Sequence, residues 1–374
     1  RHIDPDHGQR VMDLDIAGVY LQREYKRYYP TGEVGAHLVG FTNVDDKGQE
    51  GMELVYNDWL SSESGAKQVI RDRLGRVVED VKNIRPASPG KTLILTIDKR
   101  LQFLAYRELK SAIKRHKAVA GSAILMDSRT GEVLALVNQP AFNPNNRAEL
   151  LGNLYRNRAV TDLIEPGSTI KPFAVAAALQ SGAVRSDVMI DTRPGYLRVG
   201  RSTVKDFRNY GVLDLTTLIQ KSSNVGVAKL AQRTEPEFYW QVLSDLGFGL
   251  LPGTGFSGER AGQLPHYTIW NDAQRVTLSY GYGFSSTVLQ LAQAYTALAN
   301  DGEMVRASFV RSEQQPAAER KRVFTPEVVR QVRTMMESVV EKGGTGTGGH
   351  VAGYRVAAKR GTVRKAGAGG YSED

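Results

Sequence analysis

The sequence changes character near residue 90, and this change constrains the possible folds more than any other feature. Residues 1 to about 90 are polar and rich in turn-forming residues, and residues 86–90 are typical of a linker. From residue 91 onward, strand-like and helix-like patterns alternate, beginning with a strand at 92–98 and an amphipathic helix at 99–117. We therefore predict a smaller N-terminal domain over residues 1–90 and a larger domain over residues 91–374.

Further elements of the larger domain predict a mixed α/β (α+β) fold. Residues 122–127 and 132–137 flank a Ser-Arg-Thr-Gly segment, which is typical of a β-hairpin. Helices are predicted at residues 169–181, 213–233, 288–300 and 326–341. Strands that precede helices, with more strand near the end, favour an antiparallel sheet flanked by helices.

Composition excludes several classes of site. The 374 residues include no cysteine, which excludes disulfides, thiolate nucleophiles and cysteine metal sites. The six histidines are scattered, so we predict no metal site. The net charge is +9, but Lys and Arg are spread along the chain without a nucleic-acid-binding signature, so we expect no nucleic acid partner. The apolar run at 173–179 is too short to cross a bilayer.

Ser168 and Lys171 are the strongest candidate catalytic pair. A serine hydroxyl is a weak nucleophile at neutral pH, and a nearby neutral lysine can remove its proton. The same Ser-x-x-Lys spacing also occurs at four other places: Ser64/Lys67, Ser88/Lys91, Ser111/Lys114 and Ser202/Lys205. Among the five serines, Ser168 alone follows a Pro-Gly break and begins an apolar helix, whose positive end favours a developing oxyanion. The alternative is that Ser168 only caps this helix.

Two further motifs follow in order. Ser222-Ser223-Asn224 lies in the predicted helix 213–233 and supplies a hydroxyl and an amide. Lys359-Arg360-Gly361-Thr362 follows a predicted strand at 354–358, where a lysine and a small residue suit carboxylate binding and close backbone approach. Residues 342–345 match the same Lys-x-Gly-Thr pattern, but their glycine-rich surroundings disfavour a strand, so Lys359 is the better candidate.

Ser-x-x-Lys, Ser-x-Asn and Lys-x-Gly-Thr in this order form the signature of penicillin-binding proteins and serine β-lactamases. The resemblance extends to segments that look like the transpeptidase domain of class B penicillin-binding proteins: residues 123–138, 140–147, 165–171, 280–283, 292–302 and 343–346. The first ninety residues resemble the non-catalytic pedestal domain of that class. Within them, residues 23–30 and 40–53 are similar to the division-specific members from pseudomonad-like bacteria.

The resemblance implies a peptidoglycan D,D-transpeptidase and assigns catalytic roles. Ser168 would attack the penultimate D-Ala carbonyl of a stem peptide, and a neutral Lys171 would take the proton from Ser168. Ser222 would pass the proton to the leaving group, and Asn224 would bind the donor's amide. The backbone N–H groups of Ser168 and Thr362 would form the oxyanion hole.

The resemblance also implies the substrate-binding residues and the setting of the reaction. Lys359 and Thr362 would bind the terminal carboxylate, with Arg360 and Gly361 in the same motif, and Tyr282 would line the cleft. No cofactor is implied. The implied partners are stem peptides, β-lactams, a membrane glycan polymerase and other division proteins. The implied location is the periplasmic face of the bacterial inner membrane, with the anchor outside this chain.

The sequence departs from the family pattern in two respects. The family usually has Ser or Thr at position 360, whereas Arg360 is larger and charged. It could pair with a ligand carboxylate or crowd the cleft. Family transpeptidase domains also continue for several strands and a helix beyond this motif, so we expect the domain to be truncated at its C-terminal end and the pedestal to be incomplete.

Three other functions share parts of this pattern. A class A β-lactamase needs a deacylating glutamate in a Glu-x-x-x-Asn pattern after Asn224, and none occurs; Glu149/Asn153 lies upstream. A D,D-carboxypeptidase uses the same motifs and stays open, although the pedestal resembles transpeptidases. A non-catalytic penicillin-binding scaffold or sensor also stays open, with Arg360 as the one feature that favours it.

Overall fold

The computed structural model describes residues 3–21, 26–63, 65–73, 77–146, 148, 153–311, 318–363, 365–367 and 370–372. Its helices are α1 (Pro5–Met12), α2 (Ala36–Val39), α3 (Gly51–Val55), α4 (Asn57–Leu60), α5 (Lys99–His116), α6 (Arg158–Thr161), α7 (Lys171–Gln180), α8 (Leu215–Lys221), α9 (Asn224–Ala231), α10 (Pro236–Asp245), α11 (Asp272–Ser279), α12 (Val288–Ala299) and α13 (Pro326–Glu337). Its strands are β1 (Phe41–Thr42), β2 (Gly48–Glu50), β3 (Ala66–Arg71), β4 (Val77–Arg85), β5 (Gly121–Met126), β6 (Val133–Gln139), β7 (Ile190–Asp191), β8 (Tyr196–Val199), β9 (Ser202–Lys205), β10 (Val212–Leu213), β11 (Glu303–Val305), β12 (Arg320–Arg322), β13 (Lys365–Gly367) and β14 (Gly370–Ser372).

The strands confirm the mixed α/β class and show antiparallel pairing. β5 and β6 form the predicted hairpin, in which Ile124 is paired with Leu136. Among the described residues each ladder has two strands, and isolated bridges join Leu95 to Val310 and Glu132, next to β6, to Ser308. The predicted strand at 92–98 contributes one bridge rather than a ladder, and the antiparallel pairing in the described residues is divided among two-stranded ladders.

The N-terminal part packs directly on the β5–β6 hairpin. Leu38 and Met52 share a buried apolar cluster with Val133 and Leu136 of β6. The Gln102 side chain of α5 donates hydrogen bonds to the backbone oxygens of both Val34 and Leu136, at 2.7 and 2.8 Å. Apolar burial and these bonds join the N-terminal segment to the larger part of the chain.

Helix α7 lies at the centre of the main apolar core. Its residues are buried from Lys171 to Ala178, as expected for a helix that is apolar on all sides. Helices α8, α9, α10, α12 and α13 surround it, and Phe173 packs edge-to-face on Phe248 and on Tyr295. A 3₁₀ turn, Gly167–Ile170, leads into α7 and places Ser168 at its N-terminal end.

The predicted helix at 213–233 is wrong in one respect that affects the site. The structure has two helices there, because Ser222 ends α8 with φ of 59° and Ser223 then caps α9 by accepting a hydrogen bond from the Gly226 N–H. Ser222 and Asn224 thus lie at a helix–helix junction rather than within a helix. The predicted strand at 354–358 is also absent, since this described segment is irregular and Ala358 donates to the Met336 carbonyl.

None of the helices in the described part of the chain combines the length and the apolar character needed to span a membrane.

Candidate active site

The turn that carries Ser168 is fixed by close backbone contacts. The Gly167 N–H donates to the Gly281 carbonyl at 2.9 Å, and the Tyr295 hydroxyl donates to the Thr169 carbonyl at 2.6 Å. Gly281 has φ of 88°, and a Cβ atom there would lie 2.0 Å from the Gly167 oxygen. The chain therefore needs glycine at this position to hold the turn in place.

Lys171 is fully buried, and its amine contacts the Ser-x-Asn motif. Its Nζ atom lies 2.6 Å from the Ser222 carbonyl oxygen, 2.6 Å from Asn224 Oδ1 and 3.2 Å from Ser222 Oγ. The carbonyl and amide oxygens are pure acceptors, so they take two N–H groups of the amine. A neutral amine then has its lone pair free to accept a proton from a hydroxyl group.

The surroundings of Lys171 favour this neutral form. Burial, and then the positive charge of Lys359, lower the pKa of Lys171 well below its usual range, while Asp206 acts in the opposite direction. A buried ammonium group is costly unless it is paired, and removing the proton avoids that cost. A lysine of this kind can act as a general base at neutral pH.

Ser222 links the two lysines. Lys359 Nζ donates to Ser222 Oγ at 2.9 Å and to the Arg360 carbonyl at 2.8 Å. Burial, and then the charge of Arg360, lower the pKa of Lys359 to about 8, so it remains largely protonated at neutral pH. The Ser222 hydroxyl can therefore accept from Lys359 while it donates to Lys171.

Asp206 organises the Ser-x-Asn motif, and sequence reasoning missed it. Its carboxylate accepts hydrogen bonds from the Asn224 N–H at 2.5 Å, the Val225 N–H at 3.0 Å and the Ser223 hydroxyl at 2.7 Å. A carboxylate at the N-terminal end of α9 also suits the helix dipole. Asn224 Nδ2 donates to the Lys205 carbonyl at 2.9 Å, which leaves one amide N–H for a ligand.

The Lys-x-Gly-Thr segment passes close to the turn Gly167–Ile170 that carries Ser168, called the nucleophile turn below. A Cβ atom at Gly361 would lie 2.8 Å from Thr169 Cγ2, so a larger residue would push this segment away. The Tyr282 hydroxyl lies 3.3 Å from the Thr362 carbonyl oxygen. Among the described residues, no partner engages the backbone N–H groups of Ser168 and Thr362, which leaves both available to an oxyanion.

These segments enclose an open cleft of about 530 Å³. Six predicted site residues line it: Ser168, Ser222, Asn224, Tyr282, Arg360 and Thr362. The Arg360 side chain is exposed. Of the other lining residues, Thr345 belongs to the second Lys-x-Gly-Thr match, whereas Phe207, Tyr210 and Lys221 were not predicted. Phe207 and Tyr210 lie in one polar loop, residues 207–211. Two aromatic residues in such a loop are only a weak sign of a ligand site.

The other Ser-x-x-Lys serines do not contribute to this cleft. Ser111 is exposed on α5, Ser202 begins β9, and Ser88 pairs through its backbone with Glu63. Ser64 and Glu149 lie outside the described residues. Within the described ranges, no three His, Asp or Glu side chains are grouped so that they could hold a metal ion.

Comparison with known families matches two regions of the chain. Residues 121–374 match the penicillin binding protein transpeptidase domain, and residues 3–95 match the penicillin-binding protein dimerisation domain.

Relatives match over nearly the whole chain. The chain is 44% identical to the probable peptidoglycan D,D-transpeptidase PenA of Neisseria meningitidis, over 100% of its own length and 64% of that protein. It is 43% identical to the peptidoglycan D,D-transpeptidase FtsI of Escherichia coli, over 99% of its length and 62% of that protein. The chain thus spans less than two thirds of these relatives.

A solved structure has the same fold. The apo crystal structure of penicillin binding protein 3 from Mycobacterium tuberculosis is 31% identical and superposes with a TM-score of 0.83, over 93% of this chain and 78% of that one.

Proposed function

Because the chain belongs to the family of class B penicillin-binding protein transpeptidases, we propose that it is a peptidoglycan D,D-transpeptidase that cross-links stem peptides during septal cell-wall synthesis. The observation that carries this proposal is the buried Lys171 amine, held by Ser222 and Asn224 one helical turn from Ser168. This arrangement provides a nucleophile in the lining of the cleft and, one helical turn away, a buried amine whose surroundings favour the neutral form.

In the proposed acylation, Ser168 Oγ attacks the carbonyl carbon between the two D-Ala residues, and its proton passes to Lys171 Nζ. The N–H groups of Ser168 and Thr362 stabilise the oxyanion. The C–N bond then breaks, and the leaving amine receives the proton of Ser222 Oγ, which Lys171 restores. Free D-Ala departs and an ester joins the stem peptide to Ser168.

Deacylation reverses these proton transfers. The amine of a second stem peptide loses a proton through Ser222 to Lys171 and attacks the ester carbon. The C–O bond to Ser168 breaks, and Ser168 Oγ regains the proton. β-Lactams acylate Ser168 in the same way, because their strained amide occupies the position of the D-Ala-D-Ala bond.

A fluorescent penicillin tests the nucleophile. The protein is expected to form a covalent adduct on Ser168, located by mass spectrometry of the labelled peptide, and Ser168→Ala is expected to abolish it. Ser111→Ala is the matched control, because Ser111 has the same spacing to a lysine but lies exposed on α5. A wild-type protein that stays unlabelled would contradict the proposal. The N-cap positions of the 3₁₀ turn and of α7 are Pro166 and Ile170, without side-chain capping bonds, so we expect Ser168→Ala to change thermal stability little.

An assay of acyl transfer to an amine acceptor distinguishes a transpeptidase from a D,D-carboxypeptidase and from a non-catalytic sensor. A thioester analogue of the donor is incubated with and without a D-amino acid as acceptor. We expect the transfer product to form and its yield to rise with acceptor concentration. Hydrolysis alone would indicate a D,D-carboxypeptidase, and a stable adduct without turnover would indicate a sensor.

The setting of the reaction is proposed from the family as well. We place the chain at the periplasmic face of the bacterial inner membrane, with stem peptides and β-lactams as ligands, and with a membrane glycan polymerase and other division proteins as partners. The division into a pedestal over residues 1–90 and a transpeptidase domain over residues 91–374 belongs to the same proposal. Co-purification of the membrane-anchored full-length protein with a glycan polymerase would test the partner.

A further inference from the structure

Arg360 is a cation in the lining of the cleft that no acidic group in the described part of the chain neutralises. It lines the cleft together with Ser168 and Thr362, and its side chain is exposed. Among the described residues, no carboxylate forms an ion pair or hydrogen bond with its guanidinium group. An unpaired arginine beside a nucleophile is suited to bind an anionic ligand.

Lys359 is the other cation of the motif, but its hydrogen bonds are directed into the protein. Two of its three N–H groups are donated to Ser222 Oγ and to the Arg360 carbonyl oxygen, at 2.9 and 2.8 Å. At most one N–H group therefore remains for a ligand. The guanidinium of Arg360 has five N–H donors in a planar fork, which matches the two oxygens of a carboxylate.

We propose that Arg360, together with Thr362, binds the terminal carboxylate of the acyl donor, and that Lys359 serves the proton relay through Ser222 instead. This inference rests on the proposed transpeptidase function, because it assigns the charge recognition of that same substrate. It makes Arg360 a specificity-determining residue: ligands with a free carboxylate are selected by a fixed charge rather than by a titratable lysine and a hydroxyl group.

The test compares two ligands that differ only at this group, benzylpenicillin and its methyl ester. Rates of acylation of Ser168 are measured for each by intact-protein mass spectrometry. In Arg360→Gln we expect the rate with benzylpenicillin to fall by about tenfold to hundredfold, as for loss of a hydrogen-bonded ion pair, while the rate with the ester stays unchanged. Arg360→Lys keeps the positive charge but lacks the planar guanidinium group. Its rate with benzylpenicillin is expected to lie between those of the wild-type protein and Arg360→Gln.

Arg355→Gln is the matched control. Arg355 lies five positions earlier, and its guanidinium is paired with Glu337 at 2.7 Å, outside the cleft lining. This variant is expected to keep the wild-type preference for the acid over the ester. Thermal unfolding of all variants shows whether each is folded, and Arg360→Lys preserves the test if Arg360→Gln is unstable.

The pH dependence of the acid-to-ester ratio of acylation rates distinguishes carboxylate binding by Arg360 from binding by Lys359. An arginine stays charged between about pH 7 and about pH 9, whereas a lysine titrating near pH 8 does not. The groups that face Lys359 are Ser222, Lys171 and Arg360, and their effect on the relay is common to both ligands and cancels in the ratio of rates. If Arg360 binds the carboxylate, the acid-to-ester ratio is constant over this range.

Three results would overturn the inference while leaving the proposed function intact. They are an equal loss with both ligands in Arg360→Gln, no loss with either ligand, and an acid-to-ester ratio that falls as the pH rises. Absence of acylation of the wild-type protein by both ligands would instead reject the proposed function itself. The two failures are therefore distinguishable.

Discussion

Lys359 Nζ lies 2.9 Å from Ser222 Oγ, although 137 positions separate the two residues in the chain. Because Lys171 Nζ lies 3.2 Å from the same oxygen, Ser222 joins an amine with a strongly lowered pKa to one that is still protonated at neutral pH. A hydroxyl between such a pair can move a proton in either direction without a net change in charge at its own oxygen.

Ser222→Ala is expected to slow acylation by about a hundredfold or more, because the proton has no route to the leaving group. Acylation by benzylpenicillin under single-turnover conditions measures this. The melting temperature should change little, since both serine and alanine at position 222 share the same penalty for the left-handed conformation. A near wild-type rate in the folded variant would show that the leaving group takes its proton elsewhere.

Lys171→Met is expected to change the pH dependence of stability. The unfolded Lys171 has an ordinary pKa, and the folded one has a lowered pKa, so the unfolded state binds more protons between these values. The wild-type free energy of unfolding therefore rises with pH across this window, and the variant should lose that increase. Chemical denaturation between about pH 6 and about pH 9 checks it. Parallel curves for both proteins would mean that Lys171 stays protonated when folded.

Asp206→Ala is expected to impair both stability and acylation. It removes the acceptor for two backbone N–H groups and one hydroxyl, and with it the anchor of the loop that holds Lys171. Hydrogen bonds to a charged group contribute about 1.5–3 kcal/mol each. Denaturant unfolding and acylation rates measure the two effects.

Asp214→Ala is the control for the Asp206 variant. Asp214 caps α8 by accepting from the Thr217 N–H at 2.7 Å, and loss of such a cap costs about 1 kcal/mol. We expect this variant to lose stability but to acylate at the wild-type rate. If both variants slow acylation in proportion to their loss of stability, the role of Asp206 is only structural.

Gly281→Ala is expected to disrupt the nucleophile turn, because the added Cβ atom would lie 2.0 Å from the Gly167 oxygen. Gly283→Ala has a similar backbone penalty, with φ of 82°, but its Cβ atom would meet nothing within 4 Å. The first variant should therefore lose acylation, and the second should lose only about 1–3 kcal/mol of stability. Equal acylation rates would contradict the proposed role of this contact.

Several features of the site follow from local sequence, and others do not. The Pro-Gly break and the apolar run that follows were sufficient to predict a helix with Ser168 at its start. The break at Ser222 was missed, because hydrophobic periodicity continues through it and contacts distant in sequence stabilise it. Ser223 and Asn224 are favoured helix-capping types, and that was the available signal.

Asp206 could not have been found from the sequence, because its role depends on tertiary structure. Its partners lie 17 to 19 positions away, at a helix end that the periodicity does not reveal. The predicted strand before Lys359 was wrong for a related reason. Alternation in residues 354–358 indicates a strand, but a ladder also needs a neighbouring strand, and in the described structure the contact of Ala358 is with the Met336 carbonyl of a helix.

The contacts of Gly281 and Gly361 with the nucleophile turn have an evolutionary consequence. Under antibiotic pressure, a substitution at either position would also harm the proposed transpeptidation. Phe207 lines the same cleft with 96% of its surface exposed, so it can vary without disturbing that turn. Laboratory selection with a β-lactam is therefore expected to recover changes at position 207 and none at position 281, so that drug resistance arises at the rim of the cleft.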